Sequence, residues 1–436
     1  MNAKAARSLA SPALPGWRDP AIAVTTADIF AVLTALALPW STSLTAIFVL
    51  LWLAAAAWML DYRVYFQSLK RPACALPLAL FALAAVGTLW SDAPWAARLY
   101  AVGPTLKLLV LPGLFYHFQR SARGMWVFTA FLVSCAVLMA ISWIVAFEPD
   151  LTLKPAADAS RGIFVKNYID QSQEFALCAV ALAYPIANLL RAGRIWLAAA
   201  LVALALGFVL NMMFVTVSRT ALVTMPIMLA VVAALHLTWR SNVILLCIAV
   251  VLAASAWAMS PQLRSTTERF SRDYAIYKER DQPTSIGLRL EFWQKSLRFF
   301  AGAPIVGHGT GSTRGLFEHA ATGPKVLAGG QVIGNPHNQT LNVAVQWGTV
   351  GVVVLYAMWL SHLLLFRGDG VVPWIGLLVV VQNIFTSLFN SHLFDFHEGW
   401  MYVLGVGVAG GMALRMRPEN AAVVPANRDG WHARAR

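Results

Sequence analysis

Long runs of apolar residues, interrupted at intervals by Arg, Lys, Pro and Gly, dominate this chain. The runs are continuous and show no two-residue alternation, so they read as helices in lipid and exclude a transmembrane barrel. A helix needs roughly 20 residues to cross a hydrocarbon core about 30 Å thick. Cut at the polar punctuation, the chain predicts about twelve spans, near 27–40, 43–60, 74–90, 96–117, 125–147, 170–190, 195–214, 219–237, 243–260, 340–366, 371–389 and 399–414. The hairpins at Trp40 to Leu44 and Phe214 to Ser218 are very tight, and an even count requires both.

Charge gives these spans a direction. Arg63, Lys70 and Arg71, then Arg120 with Arg123, Arg191 with Arg194, Arg240, Arg367, and Arg415 with Arg417 all fall on one side of the predicted topology. The short loops opposite, Trp90 to Pro94 and Asn390 to Glu398, carry no Lys or Arg. Because basic residues in short loops stay in the cytoplasm, both termini are expected there. The predicted organisation is a cytoplasmic tail over 1–26, nine spans over 27–260, an outer segment over 261–338, three spans over 339–414 and a second cytoplasmic tail over 415–436.

The long outer segment holds ten Lys and Arg, which its length exempts from the short-loop rule. Within it, Ser285 to Ala301 predicts an amphipathic helix along the outer leaflet, with Leu288, Phe292 and Trp293 beside Arg289, Lys295 and Arg298. Glycine-rich stretches at Gly307 to Ser312 and Gly323 to Pro336 read as loops.

The composition agrees with this class, being 59% hydrophobic and only 12% charged. A formal charge of +13 suggests an anionic partner, but the basic residues are scattered over many loops, which argues against nucleic acid. The four cysteines lie in or beside apolar runs and predict free thiols. The polar start of the chain lacks the hydrophobic core of a cleavable signal, so the first span is expected to direct insertion.

The strongest local pattern is Pro336-His337-Asn338-Gln339-Thr340-Leu341-Asn342 at the mouth of a span, with Gly348 and Gly351 inside it. There a neutral imidazole can take a hydroxyl proton while the amide holds a polar substrate. Helix capping by Asn338 or Thr340 and close packing at the glycines account for the same residues, and both readings stay open. Arg219 opens an apolar span, a costly position unless the guanidinium snorkels or meets an anion. The chain has no Asp-x-Asp, and its first outer turn has no acid, so metal-free chemistry is expected. The spacing of His308, His319, His392 and His397 fits no common metal pattern.

His337-Asn338, nine residues, Gly348, two residues and Gly351 together resemble the signature of the O-antigen ligase (WaaL) family, within the O-antigen ligase and polymerase superfamily. Ser218-Arg219-Thr220, Gly287-Leu288-Arg289 with Trp293, Val306-Gly307-His308-Gly309, and Gly162 to Asn167 resemble its other motifs, so the likeness covers about Arg161 to Gly351. It implies a GT-C-like, all-α polytopic protein of the bacterial inner membrane, with about twelve helices and a periplasmic segment between helices 9 and 10. The implied reaction moves O-antigen polysaccharide from undecaprenyl diphosphate to lipid A-core oligosaccharide at the periplasmic face. It would be metal-independent and inverting, with no cofactor and no nucleic-acid partner.

In that reading His337 is the catalytic base. Arg219, Arg289, Lys166 and Arg161 bind the diphosphate, since guanidinium forks bind oxygens bidentately. Asn338, Asn167 and His308 position substrate. An O-antigen polymerase or a protein O-oligosaccharyltransferase shares the donor chemistry. An anionic-solute transporter is a further alternative, though the polar residues gather on one face and no internal symmetry is visible.

Overall fold

The computed structural model describes residues 20–153, 161–216, 224–231, 239–240, 243, 247, 258, 261–280, 282–324 and 326–416. Among these every regular element is helical, and the protein is an all-α polytopic membrane protein. Helices occupy ten of the twelve positions read from hydropathy, while 219–237 and 243–260 lie largely outside the described residues. Five helical stretches are long and apolar enough to cross a bilayer alone: Trp95–Arg120, Gly124–Phe147, Tyr168–Arg191, Ile195–Phe214 and Gln339–Leu365.

The first part of the chain forms α1 (Pro20–Ala37), α2 (Thr42–Trp58), α3 (Tyr62–Ser68), α4 (Pro72–Val86) and α5 (Trp95–Val102). Ser41 caps α2 by accepting from Leu44 N at 3.2 Å, which makes the tight first hairpin a true turn. The stretch read as a loop at Arg63 instead contains α3, bent 117° from α2. Its N-cap Asp61 accepts from Val64 N, Tyr65 packs edge-on against Tyr116, and Tyr62 and Phe66 face outward.

The expected span 96–117 is α5, a 3-10 stretch at Gly103–Leu109, and α6 (Val110–Arg120). Pro104 lacks an N–H, which favours the irregular stretch. That stretch buries Lys107, whose ammonium donates to the carbonyls of Phe394, at 3.2 Å, and Asp395. Next come α7 (Gly124–Phe147), α8 (Tyr168–Ala181), α9 (Ala183–Arg191) and α10 (Ile195–Phe214). The segment expected on the outer side supplies α11 (Pro261–Arg280), α12 (Ser285–Gly302) and the short α13 (Thr313–His319). The chain then returns through α14 (Gln339–Leu365), α15 (Val371–Thr386) and α16 (Phe396–Met416).

Side-chain pairs fix the arrangement. α16 runs beside α6, with Gly407 against Leu114 and Gly411 against Phe118. α14 runs antiparallel to α4, since His362 Nε2 bonds Ala73 O at 3.0 Å near one end and Trp347 reaches Thr310, itself bonded to Ala84 and Gly87, near the other. α15 is antiparallel to α8 through Trp374–Ala181 and Gln382–Gln173 bonds. The starts of α8, α14 and α16 and the ends of α4 and α15 therefore share one end of the bundle, and Arg120, Arg123, Arg191 and Arg415 lie toward the other.

α14 is not the uninterrupted helix that the apolar run suggests. It breaks at Gly348, where φ is 59° and ψ is −155°. A break inside an apolar span frees backbone groups, and each left unpaired in a dry interior costs about 1–3 kcal/mol. The loop after α12 resolves this. His308 N and Gly309 N donate to the carbonyls of Val345 and Gln346, both at 2.9 Å. Thr349 N and Val350 N donate to those of Pro304, at 2.8 Å, and Ile305, at 3.1 Å. A Cβ on Gly348 would lie 2.7 Å from Gly307 N, so only glycine fits this crossing. The insertion fastens the outer segment to the bundle and sets α12 over the start of α14.

Candidate active site

His337 sits in the left-handed region at φ 52°, the only non-glycine residue with positive φ among those described. Such backbone is held only where the surroundings dictate it, and it marks functional positions disproportionately. The holding is visible. His337 N donates to Asn335 Oδ1 at 3.0 Å, and Ser391 Oγ donates to the same oxygen at 2.7 Å. Asn338 caps α14 by accepting from Leu341 N at 3.0 Å, while its amide donates to Leu388 O at 3.1 Å. Gln339 adds bonds to Ser387 O and Leu393 N. The loop between α15 and α16 is thus tied to the start of α14.

The imidazole is half-buried, with the Phe292 ring 6.2 Å away. Its Nδ1 is 2.9 Å from Asn390 Oδ1, and Asn390 Nδ2 donates to Asp395 Oδ2 at 2.7 Å. Nε2 carries no hydrogen bond among the described residues. Burial lowers the proton affinity of His337, and the Arg289 and His392 charges lower it further against the opposing bond from Asn390. The ring is therefore biased toward its neutral, proton-accepting form. Arg289 and Phe292 are three residues apart on α12 and face the same way, so one helix face brings both cation and ring to His337.

Behind this pair lies a cluster of buried charge. His392 Nδ1 lies 3.3 Å from Glu398 Oε1 and 3.5 Å from Asp395 Oδ2. Burial opposes a charge on His392, but Glu398 and Asp395 outweigh it and raise its proton affinity. Burial and Glu398 push Asp395 up to about 6. The donor atoms of His392, Asp395 and Glu398 all lie within 4.8 Å of one another, a grouping able to hold a metal ion. However, the Lys107 ammonium, bonded to the backbone carbonyl of Asp395, also favours the charged form of its carboxylate, and His392 is biased toward its protonated form, so this chain's own cations act on the acidic charge.

The cluster continues to the first turn of α8, where Asp170 Oδ2 lies 2.6 Å from His397 Nδ1 of α16. Asn167 caps α8, accepting from Ile169 N and Asp170 N at 2.8 and 2.9 Å and donating to Asp170 at 2.9 Å. Lys166 is buried, donates to Leu38 O and lies 3.9 Å from Glu174 Oε1; burial lowers its proton affinity. Arg161 is exposed, its guanidinium 4.6 Å from the centre of the Tyr168 ring. His308 Nε2 bonds Phe299 O at 2.8 Å and so secures the end of α12.

Of the residues singled out by sequence, the structure gathers His337, Asn338 and Arg289 at one point. Lys166, Asn167 and Arg161 belong to the neighbouring loop, with Lys166 committed to internal partners, and His308 is engaged under α12. Arg219 lies outside the described residues. Sequence reasoning missed Asn390 and Lys107. A lysine in the middle of an apolar run was a usable sign, because such a charge persists only with a partner; Asn390 had none.

A proton-accepting imidazole beside a guanidinium, at the mouth of a helical membrane bundle, is able to do acid–base chemistry on an anionic or hydroxyl-bearing substrate. Residues 204–356 match the family model described as O-antigen ligase. No curated protein matches the chain. The matched region includes Arg289, His337 and Gly348 but excludes Lys166, Asn390 and Asp395.

Proposed function

We propose that the protein is an O-antigen ligase that transfers polysaccharide from undecaprenyl diphosphate to lipid A-core oligosaccharide at the periplasmic face of the bacterial inner membrane. The observation that carries this reading is the pairing of His337, one ring nitrogen anchored and the other without a hydrogen bond among the described residues, with Arg289 on the adjacent helix. Nε2 of His337 takes the proton of the acceptor hydroxyl as its oxygen attacks the anomeric carbon of the donor. The bond from that carbon to the diphosphate oxygen breaks in the same step, inverting the configuration. The departing negative charge falls to Arg289, with Arg219 as the second cation that the motif resemblance implies, in the role a divalent cation fills in other glycosyltransferases.

The positive-inside pattern supports placing the His337 end outside and both termini in the cytoplasm. Purified protein in liposomes with lipid-linked donor and lipid A-core acceptor tests the reaction directly. Transfer that persists in chelator and vanishes in His337→Ala is expected; full activity of that variant excludes the base assignment. A deletion strain separates the rivals: a ligase loss leaves lipid-linked polymer and unsubstituted core, and a polymerase loss leaves core bearing one repeat.

A further inference from the structure

The partner of His337 is an amide, and the carboxylate stands one residue further back. Asn390 Oδ1 faces Nδ1 at 2.9 Å, while Asn390 Nδ2 faces Asp395 Oδ2 at 2.7 Å. An ionised carboxylate only accepts hydrogen bonds, so Asp395 dictates which end of the amide turns toward it. The other end, an acceptor, then faces the ring. An acceptor at Nδ1 requires the proton there, which leaves the lone pair on Nε2. The amide has little freedom to turn, because its loop is tied to α14 at Asn335, Asn338 and Gln339.

We propose that Asn390, oriented by Asp395, is a positioning residue that presents Nε2 of His337 to the substrate as the proton acceptor. This rests on the reading of His337 as the base. It adds a reason for an amide at this place. A carboxylate in direct contact stabilises an imidazolium and holds the base protonated to higher pH; an amide fixes the tautomer without adding charge. The other charged groups facing His337 are Arg289 from α12 and His392 from the outer loop, and Lys107 and Glu398 stand behind Asp395. None of these places an anion against the ring. The proton gained at Nε2 during attack leaves from Nε2 again, since Nδ1 keeps its own and an amide oxygen cannot carry one away.

The test combines nitrogen NMR of the histidine side chains in the full-length protein with turnover against pH for Asn390→Asp, Asn390→Ala and His337→Ala. In the unaltered protein at neutral pH, His337 is expected as the Nδ1–H tautomer; the reverse tautomer overturns the proposal without any substitution. Asn390→Ala is expected to lower kcat about 10- to 100-fold, as loss of an orienting partner typically does. Its KM should change little. Asn390→Asp should move the acidic limb of the kcat profile to higher pH and recover part of the activity above it. If both substitutions cost the same and leave the limb in place, Asn390 merely packs and the proposal fails, while an inactive His337→Ala still supports the base. If His337→Ala stays active, it is the underlying reading that falls.

Discussion

Each end of the bundle holds a histidine among charged neighbours, and the two are built differently. At the arginine-rich end His117 is fully buried, with Nε2 2.9 Å from Asp28 Oδ1 and Nδ1 accepting from Trp52 at 3.0 Å. Arg123 occupies the second oxygen of Asp28 at 3.2 Å. His362, deeper in α14, is hydrogen-bonded on both sides, to Tyr402 at 2.6 Å and Ala73 at 3.0 Å. His337 alone of the three is half-buried, with one nitrogen anchored and neither a hydrogen bond nor an ion pair at the other among the described residues. Residue type is shared by clamp and site; what distinguishes them is an imidazole with bonding capacity left over.

Substitutions can press on that difference. The largest effect is expected from His337→Ala, with turnover falling by about a hundredfold or more, the usual scale for a lost general base. The same assay run against pH should show an acidic limb below the ordinary imidazole value of about 6.5, because burial and Arg289 favour the neutral form and activity is lost only as the ring protonates. Arg289→Ala should lower turnover by about a hundredfold, and Arg289→Lys by less, since an ammonium restores charge without the fork.

His117→Phe probes the closed counterpart. It should leave turnover within a few-fold yet cost about 3 kcal/mol of stability by leaving the Asp28 carboxylate short of a partner, measured by unfolding in detergent. The smallest effect is expected at Arg314, whose pairing with Glu318 at 3.0 Å is solvent-exposed; Arg314→Ala should change stability by less than about 0.5 kcal/mol.

Hydropathy located helices well, because burial in lipid leaves long apolar runs that nothing else produces. It could not show the break at Gly348, since the run from Val343 to Leu355 is equally apolar on both sides and the repair comes from Pro304 to Gly309, more than thirty residues earlier. His337 and Arg289 were legible through motif spacing. Asn390 was not, because its place depends on the fold bringing the α15–α16 loop against the start of α14, a contact with no local signature. Lys166 shows what loop position leaves out: a basic residue between spans suggests an anion, and this one is buried beside Leu38 and Glu174.

The crossing at Gly348 has a bearing on biogenesis. Pro304 to Gly309 precede in synthesis the backbone they pair with, so their four bonds to α14 form only once residues 345–350 are in place. Arg289 and His337 consequently meet late, after the chain has committed its third-last span to the bilayer, and a nascent protein halted upstream of that point holds the pieces of the site without its register.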